Sequence, residues 1–274
     1  PDALLSVLAL GAVNRLDALL ADQKLITRDK TELTLSLPLP REVLVTASNL
    51  ASLVVVAIIP AVQKLRESAG RMQSANNLKQ IALAMHNYHD ANGHFPQDIV
   101  DKDGKPLLSW RVALLPYIEQ DNLYKQFKLD EPWDSENNKK FSQTLVKVFM
   151  SPNATPPEKQ PEYGWTHYRG ISGPGAVFDP KAKVRIVDIT DGTSNTIMVI
   201  ETDEMVPWAK PGDYPFDPKK PLPKIVPPGG KDVFNAAFAD GSVKAIKKTI
   251  DEKVLKALFT RAGGEVVDID KENK

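Results

Sequence analysis

The chain has 274 residues, long enough to bury a substantial core in one large domain or two small ones. Its 35 Lys and Arg balance 35 Asp and Glu, so no basic excess marks a nucleic-acid footprint and no acidic run marks a solvating tail. Cysteine is absent, which excludes thiol catalysis, thiolate zinc sites and disulfides.

The first residue is Pro1 rather than Met, so the chain reads as a fragment or a processed product. Residues 2–24 carry the pattern of an amphipathic helix. Thr31–Leu37 alternates, with Leu33, Leu35 and Leu37 on one face, as a half-buried strand does. A helix and a lone strand make no domain. Residues 1–45 therefore read as the C-terminal remnant of an upstream domain, and 46–274 as the principal domain.

Val43–Gln63 is uncharged and about as long as a bilayer requires. Thr46, Ser48, Asn49, Ser52, Pro60 and Gln63 dilute it, so it reads as the buried start of a helix. Ile58, Val62, Leu65, Ala69 and Met72 step by four and three, and Leu78, Ile81, Met85 and Tyr88 continue the stripe. One long helix is expected from 46 or 60 to about 91, started or kinked by Pro60 and stopped at Asn92–Gly93.

Residues 109–128 suggest two short helices meeting at Pro116, and a further helix is expected over about 136–146. Residues 146–150 read as a short strand, followed by a Pro-rich loop over 152–163. The last third is β-rich. Strands over 184–189 and 196–201 flank a turn at 190–195, and strands over 234–239 and 242–246 flank Asp240–Gly241, a tight-hairpin signal. Thr249 and Glu252 fit a capping box for a last helix over about 250–261. Between the hairpins, Met205–Gly230 holds eight prolines in 26 residues.

Four segments carry a family resemblance: residues 60–96, with the run Leu-Lys-Gln to His-Asn-Tyr-His-Asp, residues 109–127, 191–201 and 236–246. Together they resemble the pilin-like family of unknown function that is abundant in planctomycetes. Its members open with a prepilin-type helix and end with a His-x9-Asp-Gly motif. The resemblance implies an α+β, pilin- or pseudopilin-like fold, with a long N-terminal helix packed on an antiparallel β-sheet of hairpins. It implies no known reaction. Three departures stand out. The prepilin peptidase signature is absent. Pro227-Pro228-Gly229-Gly230 stands where the motif His is expected, and many relatives carry Cys near Ser74 and Ser151.

Candidate sites follow from residue type. His86, His89, Asp90 and His94 cluster at a helix end, where they either ligate a metal or cap the helix. Asp188, Asp191 and Glu201 offer oxygens near one expected hairpin, a set suited to Ca2+. The alternative is plain turn formation. Trp165, Trp208, Tyr214 and Phe216 lie in or beside Pro-rich segments. If displayed, they form a platform for glycan or a partner protein; if not, they pack those loops onto the body. No nucleophile elbow, zinc-helix motif or phosphate-binding glycine loop is present.

The sequence thus points to a non-enzymatic, pilin-like protein of the cell envelope, periplasmic or extracellular, with a structural, adhesive or display role. Its expected partners are like subunits, other envelope proteins and the upstream domain of the same chain, with no role for nucleic acid. The alternative is a glycan- or small-solute-binding module that uses the aromatic Pro-rich loops.

Overall fold

The computed structural model describes residues 26–29, 32–35, 47–154, 162–265, 267 and 269–272. The helix expected over 2–24 lies outside them. The chain divides into two compact units, Pro1–Ala69 and Gly70–Lys274. In the first unit, β1 (Ile26–Asp29) pairs antiparallel with β2 (Glu32–Leu35), Ile26 opposite Leu35 and Asp29 opposite Glu32. The expected strand is therefore half of a hairpin rather than a lone strand.

Helix α1 (Ala47–Asn92) is one continuous element of 46 residues that runs through Pro60. Gly93 ends it at φ +80°, and the Gly93 N–H donates to the His89 carbonyl at 2.7 Å. Glycine accepts this left-handed conformation without a Cβ clash, which is why the helix stops here. Leu78, Ile81, Ala82 and Met85 are fully buried, at i, i+3, i+4 spacing. At the described upstream positions, Leu65, Ala69 and Met72, the expected stripe is exposed rather than buried. Ser74 and Asn77 take the buried positions instead.

In the second unit, β5 (Trp165–Ser172), β6 (Ile197–Pro207), β7 (Tyr214–Pro215), β8 (Val233–Phe238) and β9 (Val243–Lys247) form a sheet of order β7-β5-β6-β8-β9. All pairs are antiparallel except β5–β7. A small hairpin, β3 (Ile99–Val100) with β4 (Pro106–Leu108), leads into helix α2 (Trp110–Leu114). Two four-residue helices follow, α3 (Asp121–Tyr124) and α4 (Lys139–Ser142). The chain closes with α5 (Glu252–Phe259) and α6 (Ile269–Glu272).

Alternation along the strands, broken in β6 by a register shift between Ile197 and Val199, sorts the core onto two faces. Tyr168, Met198, Val199 and Ala237 pack with the buried residues of α1. Ile171, Ile197, Ile200, Phe234 and Phe238 pack with Leu255, Leu258 and Phe259 of α5. A sheet covered on both faces needs a nearly continuous apolar central strand, and β6 is buried from Ile197 to Thr202. The fold is α+β.

Several sequence expectations change. The strand over 184–189 is a 3-10 turn at Ile186–Asp188, and that over 146–150 is a 3-10 turn at Lys147–Phe149. The helix over 136–146 shrinks to α4. The Asp240–Gly241 hairpin forms, with Gly241 at φ +84°. Helix α5 is capped by Asp251, whose side chain accepts from the Lys253 N–H at 2.7 Å, rather than by Thr249.

Gly164 makes room for Trp208. A Cβ there would lie 2.6 Å from Trp208 Nε1 and closer still to the Thr144 carbonyl oxygen. Gly164→Ala is expected to cost about 1–3 kcal/mol by overpacking, read as a lowered midpoint in urea unfolding.

Candidate functional site

The four aromatics proposed as a display platform are core residues. Trp208 is fully buried, its Nε1 donates to the Thr144 carbonyl at 2.8 Å, and its ring sits 5.9 Å from that of Phe149. Tyr214 and Phe216 are buried with ring centroids 5.8 and 5.7 Å from Phe259. Trp165 is buried at the start of β5. These rings pack into the body rather than standing out as an exposed aromatic platform.

The three candidate calcium ligands do not converge. Asp188 is held by Arg185, which donates through Nη2 at 2.8 Å and keeps the Asp188 carboxyl down at about 2. Asp191 accepts from the Gly263 and Gly264 N–H groups at 2.6 and 2.8 Å, tying down the loop after α5. Glu201 is buried within β6, where it accepts from the Asn235 side chain at 2.8 Å, from the Asn235 N–H at 3.3 Å and from the Ser151 hydroxyl. Among the described residues no three His, Asp or Glu side chains come together as a metal site. The histidines act on the helix end: His89 Nε2 accepts from the Ile186 N–H at 3.2 Å, and the His86 ring lies edge-on to Phe95.

Two buried polar centres went unseen in the sequence. In the first, Arg111 and Asp213 form an ion pair with their side chains 0% and 3% exposed. Arg111 also donates to the Tyr168 carbonyl at 2.7 Å, and Asp213 accepts from Trp110 Nε1 and, at 2.9 Å, from the Gly170 N–H. Asp98 stands beside this pair. Burial and the Asp213 charge push its carboxyl up to about 6, against the Trp110 N–H that donates to it at 3.0 Å.

The second centre surrounds the Tyr168 hydroxyl, which donates to Ser74 at 3.0 Å and accepts from Asn77 at 3.3 Å. Ser74 and Ser151 both hydrogen-bond this hydroxyl. Burial and the Glu201 charge raise the Tyr168 pKa. His167 Nδ1 accepts from the Ser151 N–H at 3.2 Å, and burial lowers the His167 imidazole to about 4.

Accessible chemistry lies elsewhere, beneath the C-terminal half of the Pro-rich segment. Residues 222–230 form a strap. It is tied by the Asp203 N–H donating to the Val226 carbonyl at 2.8 Å and by the Tyr214 hydroxyl donating to the Pro223 carbonyl. The Leu222 N–H adds a third tie to Glu252 at 3.2 Å, and the Gly229 N–H a fourth to the Asp203 carboxylate at 2.9 Å. Between the strap, β8, the end of β9 and α5 lies a cleft of about 390 Å3. A second hollow of about 270 Å3 lies on the strap's other flank, lined by Arg169, Glu204 and Tyr214.

A family model described as a protein of unknown function (DUF1559), with the short name SBP_bac_10, matches residues 63–221. The chain belongs to the DUF1559 family. No curated protein and no solved structure matches it. The DUF1559 match runs from within α1 to Pro221 and covers both buried polar centres except for Asn235. The cleft lining begins at Leu222, beyond the DUF1559 match.

Asp98 and His167 impose opposite pH dependences. Asp98 titrates near 6 when folded against 3.8 ordinarily, so folding takes up a proton and stability falls as pH rises from about 4 to about 6. His167 titrates near 4 against 6.5, so folding releases a proton and stability rises across about 4 to 6.5. Asp98→Asn is expected to leave a stability that rises across this window, and His167→Gln one that falls. Urea midpoints measured from pH 4 to 6.5 check this; identical profiles for both variants and the parent would refute it.

Proposed function

We propose that the chain is a non-enzymatic, pilin-like protein of the cell envelope with a structural or display role. The observation that carries this reading is α1, a 46-residue helix whose C-terminal half packs on an antiparallel sheet. The same helix continues upstream through the apolar run Leu53–Ile59. Among the described residues no helix is long and apolar enough to cross a membrane. Met72 and Leu83 are 62% and 61% exposed. They stand three turns apart on the solvent side of α1, a contact stripe suited to like subunits or another envelope protein. Arg111, Asp213 and Glu201 are each engaged by structural partners, which supports a scaffold rather than a reaction centre.

A second reading is small-solute binding. It is supported by the cleft under the strap and by the family's short name, which points to solute binding. The buried aromatics leave the cleft, rather than an aromatic platform, to perform it.

The envelope reading is checked by mass spectrometry of the native chain's mature N-terminus in separated membrane, periplasmic and cytosolic fractions. Recovery in the envelope fractions is expected, with this fold as a displayed module. A methylated terminus near Val43 would make it a pilin subunit. Recovery only from the cytosol would overturn the envelope assignment.

A further inference from the structure

We propose that the cleft beneath the strap binds a small amphipathic organic anion, such as an aryl- or alkyl-carboxylate. Its apolar body would lie along Ile225, Val226 and Ile250, over the buried Phe234 and Leu255, and its carboxylate would lie among Lys224, Lys231 and Lys248. This inference rests on the solute-binding reading and is independent of the envelope assignment.

The floor decides the body of the ligand. Phe234 and Leu255 belong to the second core cluster and Ile250 packs against it. Leu222 and Ile225 of the strap pack against the same cluster, and Val226, 42% exposed, lines the cleft beside them. A cleft of about 390 Å3 falls within the range of small-molecule sites, about 300–1,000 Å3. Apolar surface on two sides favours a hydrocarbon or aryl body over a sugar, whose hydroxyls would lose water without replacement.

The rim decides the charge. Four charged residues line the cleft, Lys224, Lys231, Lys248 and Glu252. Glu252 is already engaged, with the Lys256 ammonium at 2.9 Å and the Leu222 N–H at 3.2 Å. Lys231 donates to the neutral side chain of Asn153 at 3.3 Å. Lys248 pairs with Asp232 at 2.7 Å, but those side chains are 42% and 88% exposed. A pair so solvated contributes little and can be shared with an incoming carboxylate. Lys224 has no ion-pair partner among the described residues. The rim therefore carries uncompensated positive charge beside an apolar floor, the complement of an amphipathic anion.

The strap is preorganised for this. Its ties use the backbone of Leu222, Pro223, Val226 and Gly229, so it stands in place before a ligand arrives and binding has less to order.

The test uses one aryl-alkyl body with three head groups: 4-phenylbutyrate, 4-phenylbutan-1-ol and 4-phenylbutylamine. Each is titrated into the full chain by calorimetry, with amide shift changes locating the site. The acid is expected to bind at least about tenfold more tightly than the alcohol, with the amine weakest. Lys224→Gln combined with Lys231→Gln should erase that preference, and Val226→Trp should block all binding by filling the cleft. Circular dichroism melts confirm that these surface variants fold. If acid and alcohol bind equally in the cleft, the anion inference falls and the solute-binding reading stands. If none of the three perturbs cleft residues, both fall.

Discussion

An ion pair removed from water, Arg111 with Asp213, ties together three parts of the larger unit. The guanidinium reaches Ser109 at the start of α2, the Tyr168 carbonyl in β5, and Asp213 in the segment before β7. Asp213 in turn holds the Trp110 indole and the Gly170 N–H. Removing one partner of such a pair leaves an uncompensated buried charge, at a cost of about 3–5 kcal/mol. That is a large share of the about 5–15 kcal/mol by which a domain is stable at all. The helical segment, the first strand of the sheet and the parallel edge therefore stand or fall together.

Most polar groups of the interior are likewise met by partners, although Arg111 Nε and His167 Nε2 are buried without one. Glu201 sits in a central strand and is met by neutral donors, Ser151 and Asn235. The Tyr168 hydroxyl is ringed by Ser74, Asn77 and Ser151. Thr166 donates to the Phe149 carbonyl at 2.8 Å. With the interior groups fixed in this way, open surface chemistry falls to the strap and its lysines.

Much of the architecture was legible in the sequence. The downstream half of α1 showed itself by period, through Leu78, Ile81 and Met85, and the β8–β9 hairpin by Asp240–Gly241, because only a glycine-tolerant turn reverses two strands so tightly. Strand β5 was missed because Thr166, His167 and Arg169 look polar. Their partners, Phe149, Ser151 and Glu204, lie 16 to 35 residues away. Residues 184–189 look like a strand, yet Val184 accepts from the Phe95 N–H and Ile186 donates to His89, so the segment seals the end of α1. The aromatic loops were misread for a related reason. Proline next to tryptophan is compatible with display and with burial, and the choice is made by distant groups such as the Thr144 carbonyl. The Pro-rich segment drew attention for Trp208 and Tyr214, while Lys224 and Val226 carried no local signal.

The strap is anchored through main-chain atoms, and its own side chains at 222, 224, 225 and 226 take no part in the ties. Lys224 and Val226 are exposed, so replacing those two alters the lining of the cleft without touching the ties, whereas Leu222 and Ile225 also pack against the second core cluster. At those two exposed positions the lining of the cleft and the anchoring of the strap are separate properties of the sequence.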